Sequence, residues 1–317
     1  MSGFLVTGGA GFIGSALVRG LLASGASRVA VVDNLLSGHE RNLDEIRGRV
    51  DFHQIDIRNA AALRTAMNGV EAVFHEAAIP SVPRSIRDPE PSHDVNVNGT
   101  FNVLQAAKAA GVRRVVYAAS SSAYGDTPVL PKVESMKANP KSPYAAQKLM
   151  GEYYMSSWAS CFGLETVSLR YFNVFGPRQD PSSAYSGVLS LFMKAILERK
   201  SPTIFGDGEQ SRDFTYVEDV VALNLRALQA PPDASGMVFN GGNGWRITLN
   251  EAWSLLQRIE GVQVAAHYGP DREGDVRDSQ ADTTLASTIL GHTPKYSFEA
   301  GMRATLEWYR STLPARD

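Results

Sequence analysis

The stretch SPYAAQKLMGEYY, residues 142 to 154, holds two residues whose types and spacing can do chemistry. Its apolar and aromatic residues recur at helical spacing. Pro143 stands where a helix can begin, since its fixed φ and missing N–H cost nothing in a first turn. Tyr144 and Lys148 then share one face, one turn apart. Taken alone, the spacing reads as ordinary helix neighbours; a phenol activated by an ammonium is the chemical alternative.

A second stretch, TGGAGFIGSALV, carries glycines at 8, 11 and 14. A strand must turn tightly into a helix here, let its backbone approach a pyrophosphate and pack the helix on the sheet, and each of these favours a residue without Cβ. An anion then lies on the helix N-terminus. Asp33 ends the next strand about twenty residues on, where it can bind the ribose hydroxyls of an adenosine. A carboxylate there repels a ribose phosphate, which favours NAD over NADP. Asn34, Ser37 and Gly38 in DNLLSG are short polar groups around the same ribose and phosphate. Asp56 and Ile57, ending the third strand, either hold the adenine or are ordinary loop-capping residues.

These groups need a frame, and the chain supplies an alternating one. Short β-branched or apolar runs (FLVTG, RVAVVD, VDFHQID, EAVFHEAA, RRVVYAAS, ETVSLRY) are separated by amphipathic stretches such as GSALVRGLLASG and GTFNVLQAAKAAG. The pattern predicts an α/β fold with a Rossmann-type, doubly wound parallel sheet. After about residue 175 it loosens into Gly- and Pro-rich loops, which predicts a smaller α/β substrate-binding domain. The expected division is 1–170 for the cofactor and 171–317 for the substrate, with part of the chain returning to the first domain.

Composition excludes several classes. The 317 residues are 44% hydrophobic and 20% charged, enough for a sizeable core and unlike a disordered or fibrous chain. A net charge of −2 leaves no footprint for nucleic acid, and no basic block marks a membrane surface. The single cysteine, Cys161, in MSSWASCFG, cannot form an intrachain disulfide and is expected as a buried small hydrophobe, in keeping with a reducing cytoplasm. No signal peptide or bilayer-spanning run is expected. The six histidines, at 39, 53, 75, 93, 267 and 292, lack metal-ligand spacing, so no metal is expected, and His75 is expected to buttress a turn. The four tryptophans are expected in core or rim packing.

The glycine spacing, HEAA at 75–78, NVNGT at 96–100, SSSAYG at 120–125 and Tyr144-x-x-x-Lys148 occur in that order. Together they resemble the extended short-chain dehydrogenase/reductase family over essentially the whole chain, and in particular its nucleotide-sugar epimerases. RYFNVFGPRQ, GDGEQSRDFTYVEDV and REGDVRDSQAD are similar to that family's nucleotide-sugar-binding half. The resemblance makes Tyr144 and Lys148 a chemical pair. It also assigns Phe12, Ile13, Ala77, Ala78, Asn96, Tyr144, Lys148 and Tyr171 to the cofactor, beside Gly8, Gly11, Gly14 and the Asp33 region. Bringing a phenol from its ordinary pKa near ~10 to neutrality takes about three units, or roughly 4 kcal/mol. One positive charge at about 4 Å supplies that at an effective dielectric near 20, so Lys148 and the cationic nicotinamide ring together are expected to suffice.

The implied reaction follows from what stands beside the family's hydroxyl residue, which Ser120 matches by position, with Ser121 or Ser122 as alternatives. The dehydratases carry an Asp–Glu pair where Ser121 and Ser122 stand, and the glucuronate decarboxylases a Glu in place of Ser122. Without those acids the resemblance implies reversible C4 epimerisation of a UDP-hexose through a 4-keto sugar, with Ser120, Tyr144 and Lys148 catalytic and NAD staying bound. Another UDP-sugar-modifying activity, such as glucuronate 4-epimerase or decarboxylase, is the alternative, and a non-catalytic NAD-binding regulator is a third. Asn173, Arg212 and Arg272 match positions that grip the diphosphate and Asp275 one that binds the nucleoside ribose. Residues from Gly187 to Phe192 would line the base pocket, and Arg84 and Ser85 would face the sugar. Ser279, four positions after Asp275, matches a gate against the sugar's C2 substituent. A serine leaves room for an N-acetyl group, which implies UDP-N-acetylglucosamine and UDP-N-acetylgalactosamine as well as the plain hexoses. The apolar surplus of Phe101, Leu104, Leu149, Tyr153 and Trp158 implies a homodimer through a four-helix bundle.

Overall fold

A computed structural model describes residues 3–181, 187–271 and 276–312. Its frame is a seven-stranded, wholly parallel sheet. The strands are β1 (Phe4–Thr7), β2 (Val29–Asp33), β3 (Val50–Gln54), β4 (Ala72–His75), β5 (Arg114–Ser120), β6 (Glu165–Tyr171) and, after four short strands, β11 (Met237–Gly241). Their spatial order is β11-β6-β5-β4-β1-β2-β3. This is the expected doubly wound sheet, and its order reverses between β1 and β4, where a crevice opens at the carboxyl ends. The sequence expectation of a returning segment has its counterpart in β11, which pairs with β6 in register Met237 to Val167 through Gly241 to Tyr171.

Period-two alternation sends neighbouring residues to opposite faces. Leu5, Val73, Val115 and Tyr117 enter one core with α2 (Ala60–Ala66), α5 (Thr100–Ala109) and α6 (Pro143–Phe162). Val6, Phe74, Val116, Val167 and Leu169 enter the other with α1 (Phe12–Ala23) and α8 (Val217–Leu228). Between β4 and α5 the chain forms α3 (Val82–Arg87) and α4 (Pro89–His93), then a π-helical stretch Asp94–Gly99 that runs straight into α5. In α6 the Ser142 side chain accepts from the Ala145 N–H, Pro143 follows it, and Gly163 ends the helix at φ 68°. Capping and proline thus fix where Tyr144 begins its turn.

The second half is built of small pieces on the sheet's edge. Strands β7 (Asn173–Phe175) and β10 (Phe214–Tyr216), β9 (Ser211–Arg212) and β12 (Ile247–Thr248), and β8 (Thr203–Phe205) and β13 (His267–Gly269) form three two-stranded sheets. Helix α9 (Leu249–Glu260) packs on β12 and α11 (Phe298–Thr312) on β10, α7 (Val188–Glu198) packs on both helices, and α10 (Thr284–Leu290) lies against β11 and α8.

Three expectations are corrected. Cys161 is exposed, in the last turn of α6. Trp245 is 74% exposed, whereas Trp158 and Trp253 are buried. Of the apolar surplus on α5 and α6, Leu104, Leu149 and Trp158 are buried within the chain itself, and only Phe101 and Tyr153, with Met150 and Phe162, remain exposed.

Candidate active site

A cleft of about 750 Å³ opens over the carboxyl ends of β1, β2, β4, β5 and β6. Gly8, Gly11, Phe12, Ile13, Gly14, Asp33, Asn34, Ser37, Gly38, Ile57, Ala77, Ala78, Ser120, Tyr144, Lys148, Tyr171 and Asn173 all line it, residues drawn from most of the first half. Its size suits a ligand with several ring systems.

The turn after β1 shows why the glycines stand there. Gly8 has φ +70°, and a Cβ on it would sit 2.7 Å from the Ala77 nitrogen; one on Gly14 would sit 2.2 Å from the Gly8 oxygen. The backbone itself therefore forms that wall. α1 begins at Gly11 with no side-chain cap and no acidic residue in its first turn, so its N-terminal dipole faces the cleft. Asp33, 7% exposed, accepts from the backbone N–H groups of Ala10 (3.0 Å) and Leu35 (2.8 Å). Burial raises its carboxyl above the ordinary range, with those two bonds opposing. A bare glycine turn, an open helix N-terminus and a carboxylate ending β2 together fit NAD.

The catalytic candidates meet at the other end. The Tyr144 phenol stands beside Ser120, whose hydroxyl favours its ionised form. Ser120 Oγ accepts from the Ser122 N–H (3.2 Å) and the Ser122 hydroxyl (2.8 Å), which leaves its own proton for Tyr144. Lys148, 4% exposed, donates from Nζ to the Ala118 carbonyl (2.8 Å) and lies over the Tyr117 ring, 5.1 Å from its centroid. Burial pushes Tyr144 up to about 12 and Lys148 down to about 8, the latter opposed by Glu76 and Glu152. Desolvation dominates both shifts, and the Lys148 ammonium points to a carbonyl of β5.

Other expected residues are placed differently. The Asp56 carboxylate bonds Arg58 and the Asn34 side chain, is held well below the ordinary range chiefly by Arg58, and does not line the cleft. Asn96 braces the cleft wall from behind, exchanging bonds with the backbone of Ile79 and donating to Gln147 (2.9 Å). Arg84 lines the cleft, but Ser85 lies beneath it and accepts from the Tyr144 N–H (3.1 Å). Gly187 lines the cleft, while Leu189 and Phe192 belong to the core. Arg212 donates to the carbonyls of Ser211 and Arg277 (3.0 Å each). Asn173 donates to Ser279 Oγ at 3.4 Å, so the expected gate sits beside a cleft residue. Neither Ser121, Ser122, Arg212 nor Ser279 is itself in the lining, and Arg272 and Asp275 lie outside the described residues.

Sequence reasoning missed Glu76, His39, Gln179 and Asp180, which also line the cleft. His39 Nε2 lies 3.1 Å from an Asp180 carboxylate oxygen, joining the Asp33 loop to the second half. Tyr309 on α11 donates to the Gln179 carbonyl and steadies that wall. A carboxylate just past a parallel strand was the available signal for Glu76, masked by the alanines of HEAA. Nothing local marks the other three.

Residues 4–242 match the family described as NAD dependent epimerase/dehydratase. The chain is 40% identical to a UDP-glucose 4-epimerase of Mycolicibacterium smegmatis over 97% of its own length and 98% of the relative's. Two solved structures superpose with TM-scores of 0.93. One is a UDP-glucose 4-epimerase of Thermotoga maritima with UDP-glucose, 39% identical, covering 98% of this chain and 100% of that one. The other is a UDP-N-acetylglucosamine 4-epimerase of Methanobrevibacter ruminantium with UDP-N-acetylmuramic acid, 36% identical, covering 98% and 99%.

Proposed function

The chain belongs to the NAD-dependent epimerase/dehydratase family and is an enzyme akin to UDP-sugar 4-epimerases, and we propose that it reversibly epimerises UDP-hexoses at C4, accepting N-acetylated as well as plain sugars. The observation that carries this reading is the Ser122–Ser120–Tyr144 chain beside buried Lys148, with hydroxyls where an eliminating acid would have to stand.

In this mechanism Tyr144 takes the proton of the sugar's 4-hydroxyl and later returns it, while Ser120 shares the reacting oxygen. Bound NAD supplies a hydride acceptor and a positive charge. The phenol needs that charge, because burial raises its pKa to about 12 and a cation beside the phenolate opposes that shift. Lys148 would hold the cofactor's ribose. Gly8, Gly11 and Gly14 admit the pyrophosphate, and Asp33 holds the adenosine ribose. Residues 1–170 form the cofactor domain and 171–317 the sugar-nucleotide domain, with β11 returned to the first. Asn173 from the cleft wall, with Arg212, Arg272 and Asp275 as the resemblance implies, would hold the UDP and leave the sugar free to turn and present its other face.

Breadth of substrate is supported by Ser279, a small residue within hydrogen-bond reach of cleft-lining Asn173. Arg84 in the lining favours a second, narrower reading in which a uronate is the sugar. A homodimer through α5 and α6 is supported by exposed Phe101, Met150, Tyr153 and Phe162, and a reducing cytoplasm by the single unpaired Cys161. Incubation with UDP-glucose, UDP-N-acetylglucosamine and UDP-glucuronate in turn, resolving the 4-epimers, tests the reading. Both neutral pairs should interconvert. Turnover of UDP-glucuronate alone would replace the reading with the second one, and no epimer from any sugar would overturn epimerisation.

A further inference from the structure

Glu76 is the acidic side chain that the mechanism above leaves unused at the catalytic end. It follows His75, the last residue of β4, and its N–H donates to the Thr7 carbonyl (3.2 Å), which sets it beside the Gly8 turn. Its carboxylate lines the cleft and accepts from the Tyr171 hydroxyl (2.8 Å). Tyr171 ends β6 in register with Ser120 on β5, so its phenol reaches across the end of β5 to β4. The same hydroxyl accepts from Asn224 Nδ2 on α8 (2.7 Å), which fixes its remaining proton toward Glu76. Lys148 on α6 interacts with Glu76 electrostatically. His75, fully buried between Thr7 and Thr100, is held neutral, with its pKa pushed down to about 3.

We propose that Glu76 is a further specificity-determining residue: its carboxylate, oriented by Tyr171 and facing Lys148, favours the cationic ring of NAD over the neutral ring of NADH. The two cofactors differ by one charge, carried on the ring. An anion fixed at the Tyr144 and Lys148 end of the cleft therefore tells them apart by Coulomb attraction, while the adenosine half binds both alike. Burial pushes Glu76 up to about 7, against the Tyr171 bond and Lys148, so its charge is available from neutral pH upward. On the epimerase reading such a bias returns the hydride to the sugar in every cycle and keeps reduced cofactor from being stranded. The selection itself rests only on the cofactor, and so does its test.

Protein stripped of nucleotide is titrated calorimetrically with NAD and with NADH at pH 5.5 and 7.5, below the range in which Lys148 releases most of its proton, as wild type and as Glu76→Gln. The ratio of the two dissociation constants cancels what Asp33, His39 and Asp180 contribute at the adenosine end. In the wild type the preference for NAD should grow severalfold from pH 5.5 to 7.5. In Glu76→Gln it should be flat and, at pH 7.5, about tenfold smaller, the value of about one pKa unit of charge interaction. A purely structural role would weaken both cofactors equally and leave the ratio unchanged. Equal ratios in the two proteins, or a wild-type preference indifferent to pH, would overturn the proposal; the second holds even if Glu76→Gln does not fold.

Discussion

Burial disfavours the charged form at both ends of the cleft, and the two ends differ in what opposes it. At the adenosine end, Asp33 is surrounded by backbone donors from Ala10 and Leu35, with Gly38 so close that a Cβ would lie 2.8 Å from its carboxylate. At the catalytic end Tyr144, Lys148 and Glu76 are each displaced by burial toward the uncharged form, to about 12, about 8 and about 7. At the first end backbone donors already oppose that cost. The second is left desolvated, so that an incoming charge completes it. Backbone bonds suit a site that only binds, whereas a site that moves protons needs groups whose two protonation states lie close in energy.

The largest test of this contrast is Tyr144→Phe. It removes the proton acceptor and little volume, so epimer turnover should fall roughly 10²–10⁴-fold or more while calorimetric NAD affinity stays within a few-fold. Turnover near the wild-type rate would falsify the assignment of Tyr144 as the acceptor.

A smaller effect, on stability, follows from Lys148. Its pKa is depressed from 10.5 to about 8 by burial, so between those values the unfolded chain binds a proton that the folded protein does not. Stability therefore rises with pH across that window, and the full cost is present below about 8. Lys148→Met should be more stable than wild type by about 3 kcal/mol in urea unfolding at pH 7, the gap closing near pH 10.5, while turnover is lost. A gap that ignores pH would show that packing, not charge, sets it.

The smallest effect is expected where the backbone has already satisfied the charge. Asp33→Ala should weaken NAD roughly ten- to hundredfold, the worth of one or two charge-assisted bonds, and improve NADP relative to NAD. At saturating NAD, turnover should change little. Should Asp33→Ala depress saturated turnover as strongly as Tyr144→Phe, the two ends are not separable in the way their geometry suggests.

What could be read from residue types alone was whatever is local. Pro143, Ser142 and the apolar spacing behind Tyr144 and Lys148 define a helix without reference to anything outside it, and the glycines at 8, 11 and 14 are required by a turn of fixed shape. Ser120 was legible because it ends a strand whose seven residues announce themselves. Such features depend on short-range sterics and hydrogen bonding, which a window of about a dozen residues contains.

Tertiary structure decided the rest. Asp56 meets Asn34 as well as its neighbour Arg58, and Ser85 is turned beneath Tyr144, contacts that bring together residues far apart in sequence. The meeting of Glu76 with Tyr171 depends on β4, β5 and β6 lying side by side, though the residues are 95 positions apart in sequence. The extent of desolvation around Tyr144 was beyond the sequence for the same reason. Local spacing places one ammonium near the phenol, but desolvation sums over every element packed around it, and that sum exists only once the chain has folded.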